Sequence, residues 1–422
     1  MKRTLRLSVF ISLAVLAGCS ANAGKNNAAG AGDGEGGSPS AGEGGGLIDT
    51  GDDSDGAGGL FGGGEQPGNG TGSGTDDCVA SGDEDKDKDG FSVNQGDCND
   101  CDANVNPGAV EVIVTEPNMD GDIPTPADED CDKQIDNVAE ACDSGLTLTD
   151  TDPLAAARAL DLCQLASPGD TKWGVLKADY VRADGSAGVP PSPLQYGIMD
   201  GFGPNVNPQR GERMFVLSSG HARIPGQPDA CGSLSCTSNF PGTPPAGFPQ
   251  DVPDCPGAKD INDDVALQLR IRAPKNATGY SFSFKFYSFE YPEWVCTSFN
   301  DQYITLVDPP PQGSIGGNIS FDSKANPVSV NVAFFDVCPD PQCALGAAEL
   351  AGTGFDDWDD AGGTGWLKTQ APIEGGAELE IRFAIWDTGD SSWDSTAIID
   401  NFQWVANGGQ VVVGTEEIPD PK

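Results

Sequence analysis

Between Asp76 and Asp152 the chain sets 23 acidic residues against three bases, Lys86, Lys88 and Lys133. A stretch with a net charge of −20 over 77 residues repels itself, and it compacts only if something positive lies inside it. The acids are not scattered as in a solvated tail. Asp85-Lys86-Asp87-Lys88-Asp89-Gly90-Phe91 places carboxylates at alternate positions ahead of a glycine. In a tight loop that spacing turns every second side chain inward, the glycine permits the bend, and the resulting all-oxygen cage suits a hard divalent cation. A standard EF-hand loop would end in a bidentate Glu at its twelfth position; here that position is Gly96, followed by Asp97, which excludes the sensor EF-hand. Two further clusters follow, Asp97-Cys98-Asn99-Asp100-Cys101-Asp102 and Asp128-Glu129-Asp130-Cys131-Asp132 with Asp136-Asn137. The candidate ligands are Asp85, Asp87, Asp89, Asp97, Asn99, Asp100, Asp102, Asp128, Asp130, Asp132 and Asp136, and the expected ion is Ca2+. Copper is disfavoured because the clusters hold no His or Met, and softer metals prefer nitrogen and sulfur ligands.

Together the three clusters resemble the MopE-type metal-binding repeat of bacterial surface proteins. That repeat pairs an Asp-x-Asp-Gly-aromatic start with Asp-Cys-Asp-Asp, a Pro-Gly-Ala turn and a closing Asn-Asp-Cys-Asp-Gly…Ile-Asp. The resemblance covers about Asp83 to Asn137, including Pro107-Gly108-Ala109. Three departures stand out: Cys101 is added, the cysteine expected just after Glu111 is missing, and Val112 to Ala127 reads as an insertion. They bear on the disulfide pattern more than on the ion site.

The N-terminus points to the compartment. Met1-Lys2-Arg3-Thr4-Leu5-Arg6 is a positive start, and the apolar run from Leu7 to Ala17 is too short to span a bilayer as a helix, so it reads as a secretion signal. Leu16-Ala17-Gly18-Cys19 resembles the lipobox of bacterial lipoproteins, which implies cleavage before Cys19 and a diacylglycerol on its sulfur. In that family the residue after the cysteine biases sorting, and Ser20 rather than an aspartate implies the outer membrane or cell surface. From residue 20 to residue 75 the chain has 21 Gly and a single aromatic, Phe61. Such a composition cannot bury enough apolar area to order itself. It reads as a tether with an end-to-end distance of about 40–45 Å.

Beyond Cys19 there are twelve cysteines, an even number that suits disulfides in an exported chain. Cys231/Cys236 and Cys338/Cys343 are the close pairs that suggest local staples. The formal charge of −42 excludes a general nucleic-acid binder, because phosphates require a positive surface.

After the acids the pattern changes. Asp152-Pro153 starts a short helix as N-cap and first turn, running through Leu160 toward Cys163, with Pro168-Gly169 as the stop. Period-two stripes then dominate: Val265, Leu267, Leu269, Ile271; Tyr280, Phe282, Phe284, Phe286; Val328, Val330, Val332, Phe334; Leu379, Ile381, Phe383, Ile385; and a late strand from Ala397 to Trp404. Short strands joined by Gly/Pro loops predict a mainly β chain with an antiparallel, jelly-roll-like β-sandwich. Phe286-Tyr287-Ser288-Phe289-Glu290-Tyr291 with Ser298-Phe299-Asn300-Asp301, and Asp394-Ser395 with Ile399-Asp400-Asn401, resemble the signature of the choice-of-anchor L domain. The match spans roughly 146–405 and implies a surface protein with no established reaction; Phe289 replaces an acid of that signature.

The expected organisation is a signal peptide (1–18), a lipidated Cys19 and tether (19–75), a disulfide- and metal-stabilised acidic module (76–145), a β-sandwich (146–405) and a tail (406–422). Glu290, Asp301, Asp387, Asp390, Asp394 and Asp400 are candidates for a second metal site. His221 is the one histidine, and no Gly-x-Ser-x-Gly elbow accompanies it, so a Ser/His/Asp triad is disfavoured. The function expected is a non-enzymatic, lipid-anchored surface protein that binds or displays, its partners being the membrane and a surface glycan or protein. The alternatives are a glycan-binding module stacking sugars on Trp294, Trp358, Trp386 or Trp393, and a calcium-dependent hydrolase.

Overall fold

The computed structural model describes residues 78, 80, 82–113, 125–137, 139–236, 239–332, 334–339, 341–356, 358, 361–406 and 408–418. The signal segment, Cys19 and the Gly-rich tether lie outside the described residues.

Helix α1, Pro153–Ala159, begins where Asp152 caps the Leu154 N–H at 3.0 Å. It ends well before Pro168-Gly169, because Asp161 turns left-handed (φ 67°) and Cys163 is tied back to Cys142. Among the described residues twelve strands follow: β1 (Gly174–Val181), β2 (Tyr196–Met199), β3 (Met214–Ser218), β4 (Ile261–Arg272), β5 (Gly279–Ser288), β6 (Gln302–Asp308), β7 (Val328–Ser329), β8 (Gly362–Gly363), β9 (Leu367–Pro372), β10 (Glu378–Thr388), β11 (Ser395–Val405) and β12 (Gly414–Glu417). One sheet has the order β1-β4-β10-β6-β7; the other has β12-β9-β5-β11-β3-β2, with β8 on β5. The strand pairs are antiparallel.

The alternating stripes meet between the sheets. Phe282 of β5 packs edge-on against Phe383 of β10 at 5.1 Å, and Phe284 lies 5.0 Å from Tyr303 of β6. Aromatic rings buried in this way dominate the energetics of such a core. Both outer faces are covered too, so that every residue of β5 is buried: Phe202, Phe355 and Trp366 pack over Tyr287 and Ile398, while Phe248 packs on Trp386.

Two elements differ from the sequence reading. Val328, Val330 and Val332 are buried, but only Val328–Ser329 is strand. A turn follows, closed by the Val332 N–H on the Ser329 carbonyl, and the Asn331 side chain bridges the Cys296 N–H and Asn300. Gly414–Glu417, assigned to the tail, instead adds β12 to the edge at β9.

Six disulfides close the described chain: Cys78–Cys101, Cys98–Cys131, Cys142–Cys163, Cys231–Cys236, Cys255–Cys296 and Cys338–Cys343. The two short-range staples expected are among them. The acidic segment docks on the sandwich through its Pro-Gly-Ala turn. The Lys275 N–H donates to the Gly108 carbonyl (2.9 Å), Trp173 Nε1 to the Ala109 carbonyl (3.2 Å), and the Asn276 side chain pairs with both backbone groups of Val110.

Candidate metal centre

The acidic segment has little regular structure, and side chains bonding their own backbone shape it. Asp85 accepts from the Lys88 and Gly90 N–H groups, Asp87 from Asp89, Asp89 from Phe91, Asp97 from Asn99 and Asp100 from Lys86. These Asx-type bonds are what a short Asp-rich loop offers in place of a ladder. Each occupies one carboxylate oxygen. The second oxygens of Asp87, Asp89, Asp97 and Asp100 are buried with no hydrogen-bond partner.

The carboxylates of these loops converge. Ligand atoms of Asp85, Asp87 and Asp100 lie within 4.8 Å of one another, as do those of Asp87, Asp89 and Asp97. Asp87 belongs to both trios. Burial, then the charges of Asp87, Asp97 and Asp85, push the Asp89 carboxyl up to about 6. The Lys86 N–H donating to Asp100 holds that carboxylate against the first loop, while the neighbouring cysteines are bridged to Cys78 and to Cys131 of the third cluster.

A second centre forms around the third cluster. Its trios are Glu111, Glu129, Asp136 and Glu111, Asp128, Asp130. Asp128 accepts from the Lys133 N–H, five residues on, as Asp85 does from Gly90. Asp130 and Asp132 accept from the second residue beyond each, as Asp87 and Asp89 do. The two Asp-x-Asp-x-Asp loops therefore share one hydrogen-bond pattern. Asp128 Oδ1, Asp136 Oδ1 and Asn137 Oδ1 are orphaned here. Burial, with the charges of Asp130 and Glu129, pushes Glu111 up to about 7.

Of the candidate ligands, Asp85, Asp87, Asp89, Asp97, Asp100, Asp128, Asp130 and Asp136 enter these groups. Asn99 and Asp132 are exposed, and Asp102 caps Asn104. Glu111 and Glu129 were missed. The all-oxygen donor sets can hold a hard cation, and the segments carrying them offer no histidine.

The second candidate set divides. Glu290, Asp301, Asp387 and Asp394 are buried together at one end of the sandwich. Burial, then the charges of Asp301 and Asp394, push Asp387 well above the carboxylate range. Burial pushes Asp301 up to about 8 against hydrogen bonds from Ser395 and Thr388, and pushes Asp394 up to about 7. Asp390 is exposed and caps Ser392. Asp400 stands apart, accepting from the Gln209 and Asn401 N–H groups.

The tryptophans form no platform: Trp386 is buried, Trp294 meets Trp393 at an interplanar angle of 83°, and Trp358 stands exposed at 43%. His221 Nδ1 faces the Asp229 carbonyl at 2.8 Å. No protein-family model, curated protein or solved structure matches this chain.

Proposed function

We propose that this is a lipid-anchored surface protein, held to the outer membrane or cell surface through Cys19. In this reading Ca2+ bound in the acidic module organises the segment that joins tether to sandwich, and the β-sandwich displays or binds without catalysing a reaction. The resemblance to the MopE-type repeat and the choice-of-anchor L signature supports it. One observation carries the calcium assignment: the buried second oxygens of Asp87, Asp89, Asp97 and Asp100 lack partners while the first oxygens hold the loop. Hard cations with six to eight oxygen ligands complete such half-used carboxylates. The perpendicular tryptophan pair supports display over sugar stacking.

Calorimetric titration of the chelator-treated chain with Ca2+ tests the reading. Heat of binding and a rise in melting temperature are expected; neither effect at millimolar Ca2+ rejects it. Lipid labelling that is lost in Cys19→Ala tests the anchor.

A further inference from the structure

We propose that the β-sandwich carries a cation site of its own, in which a hard divalent ion, Ca2+, sits between the two sheets at one end of the core, bound by Asp387, Asp301, Asp394 and Glu290. This site lies outside the acidic module and does not depend on it.

The core-facing rows of the central strands all change character at that end. On β10 the row Leu379, Ile381, Phe383, Ile385 runs on to Asp387, and on β6 the row Val307, Thr305, Tyr303 runs back to Asp301. In the facing sheet, Phe282, Phe284 and Phe286 of β5 lead to Ser288 and then Glu290, and Ile399 and Ala397 of β11 lead back to Ser395. Strand periodicity turns Asp387, Ser288 and Ser395 toward the same layer as the apolar residues of their rows, and hydrogen bonds to Ser395, Thr388 and Glu290 hold Asp301, just before β6, beside them. One sheet thus supplies the carboxylates of Asp387 and Asp301, and the other the hydroxyls of Ser288 and Ser395 with the carboxylates of Glu290 and Asp394 at its strand ends. Ser395 Oγ donates to Asp301 Oδ2 at 2.7 Å across the gap and lies 2.9 Å from Ser288 Oγ. The Asp301 N–H donates to Glu290 Oε2 at 3.2 Å.

That layer is short of positive charge. Asp387 is 0% exposed, its polar neighbours are the Asp301 carboxyl and the Ser219 hydroxyl, and neither of its oxygens receives a well-aligned hydrogen bond, nor does Asp394 Oδ1. The nearby Ser219 hydroxyl donates instead to the Ser395 carbonyl. None of the ion pairs among the described residues involves any of the four acids. A buried carboxylate without donor or counter-charge is strongly disfavoured. Protons would relieve the repulsion one carboxylate at a time and leave the remaining oxygens without donors, whereas a divalent ion offsets two charges and takes oxygens from several carboxylates at once. No trio of these oxygens reaches the 4.8 Å span found in the acidic module, so an ion here draws on ligands from both sheets, hydroxyls included. Asp394 also lines a surface cleft with His221 and Trp358.

The test is the number of Ca2+ ions bound per full-length chain, counted by equilibrium dialysis for wild type, Asp387→Asn and Asp87→Asn. The expected result is one ion fewer in D387N, with the acidic-module ions retained, and the complementary loss in D87N. An unchanged count in D387N, together with a gain in stability, overturns the proposal in favour of a shared proton. Should D387N fail to fold, amide exchange of wild type and D87N decides. Calcium-dependent slowing at residues 386–388 and 394–395 in both supports the site, and identical exchange with and without Ca2+ overturns it.

Discussion

Asp301 of one sheet and Ser395 of the other are joined by a 2.7 Å hydrogen bond across the interior of the sandwich, where both side chains are fully buried. Few positions in a β-sandwich core link the sheets by anything other than apolar contact. Asp301 Oδ1 is held by the Thr388 N–H at 2.9 Å, so one carboxyl ties the start of β6 to the end of β10 and the start of β11.

Replacing Ser395 with Ala removes that cross-sheet donor and leaves Asp301 Oδ2 unsatisfied. The expected cost is about 1–3 kcal/mol, the penalty for orphaning a buried acceptor. Urea unfolding of the calcium-depleted S395A variant measures it, and a midpoint equal to wild type refutes the link.

Lys133 occupies in the third cluster the position that Gly90 occupies in the first. Its N–H donates to the aspartate five residues earlier at 3.0 Å, as that of Gly90 does, and both are left-handed, at φ 77° and 99°. Only glycine takes that conformation without steric cost. Lys133→Gly should therefore raise stability by about 0.5–1 kcal/mol. A lowered melting temperature for K133G would show that the lysine side chain contributes more than its backbone costs.

Sequence periodicity identified the sandwich because Phe282, Phe284 and Phe286 or Ile381, Phe383 and Ile385 alternate without interruption, and a two-sided core demands that pattern. It misread Val328 to Phe334, where alternation persists but the backbone turns; burial without ladder pairing leaves the same apolar signature. The same counting stopped at the last apolar residue of each row, and so did not show that Asp387, Asp301 and Ser395 continue them. Asp400 was grouped with Asp394 by nearness in sequence. Six residues separate them by roughly 20 Å, which leaves Asp400 midway along β11 while Asp394 sits just before its first residue. Glu111 was hidden because Val112 to Ala127 separates it from the carboxylates it meets; its single acid carried no local pattern.

Asp87 is shared by both trios of the first centre, so its charge acts on the whole site. Asp87→Asn should weaken Ca2+ binding about tenfold or more, equivalent to ~1.4 kcal/mol, in calorimetric titration. Asp102→Asn should leave binding unchanged, because that carboxylate caps the Asn104 N–H and amide at 3.1 and 3.0 Å. Equal effects of the two variants would show that the module responds to net charge and not to a defined cage.

Asp400 provides a pH test away from any proposed ion. Burial, with the charge of Asp161 beside it, pushes Asp400 from 3.8 up to about 8, and burial pushes Asp161 up to about 6 although Arg210 opposes the rise. Between the unfolded and folded values the native chain holds protons that the unfolded chain has released. Stability from these groups is therefore complete below pH ~4 and is lost as pH rises through the folded values, by at most about 1.4 kcal/mol per pH unit for each. Asp400→Asn keeps the side-chain size and removes one titration. Unfolding free energies of the calcium-depleted chain at pH 5, 6.5 and 8 should fall with pH, and less steeply in D400N by about one proton's worth. The same slope in both chains would mean that Asp400 is ionised in the fold, its charge carried by the Gln209, Arg210 and Asn401 N–H groups.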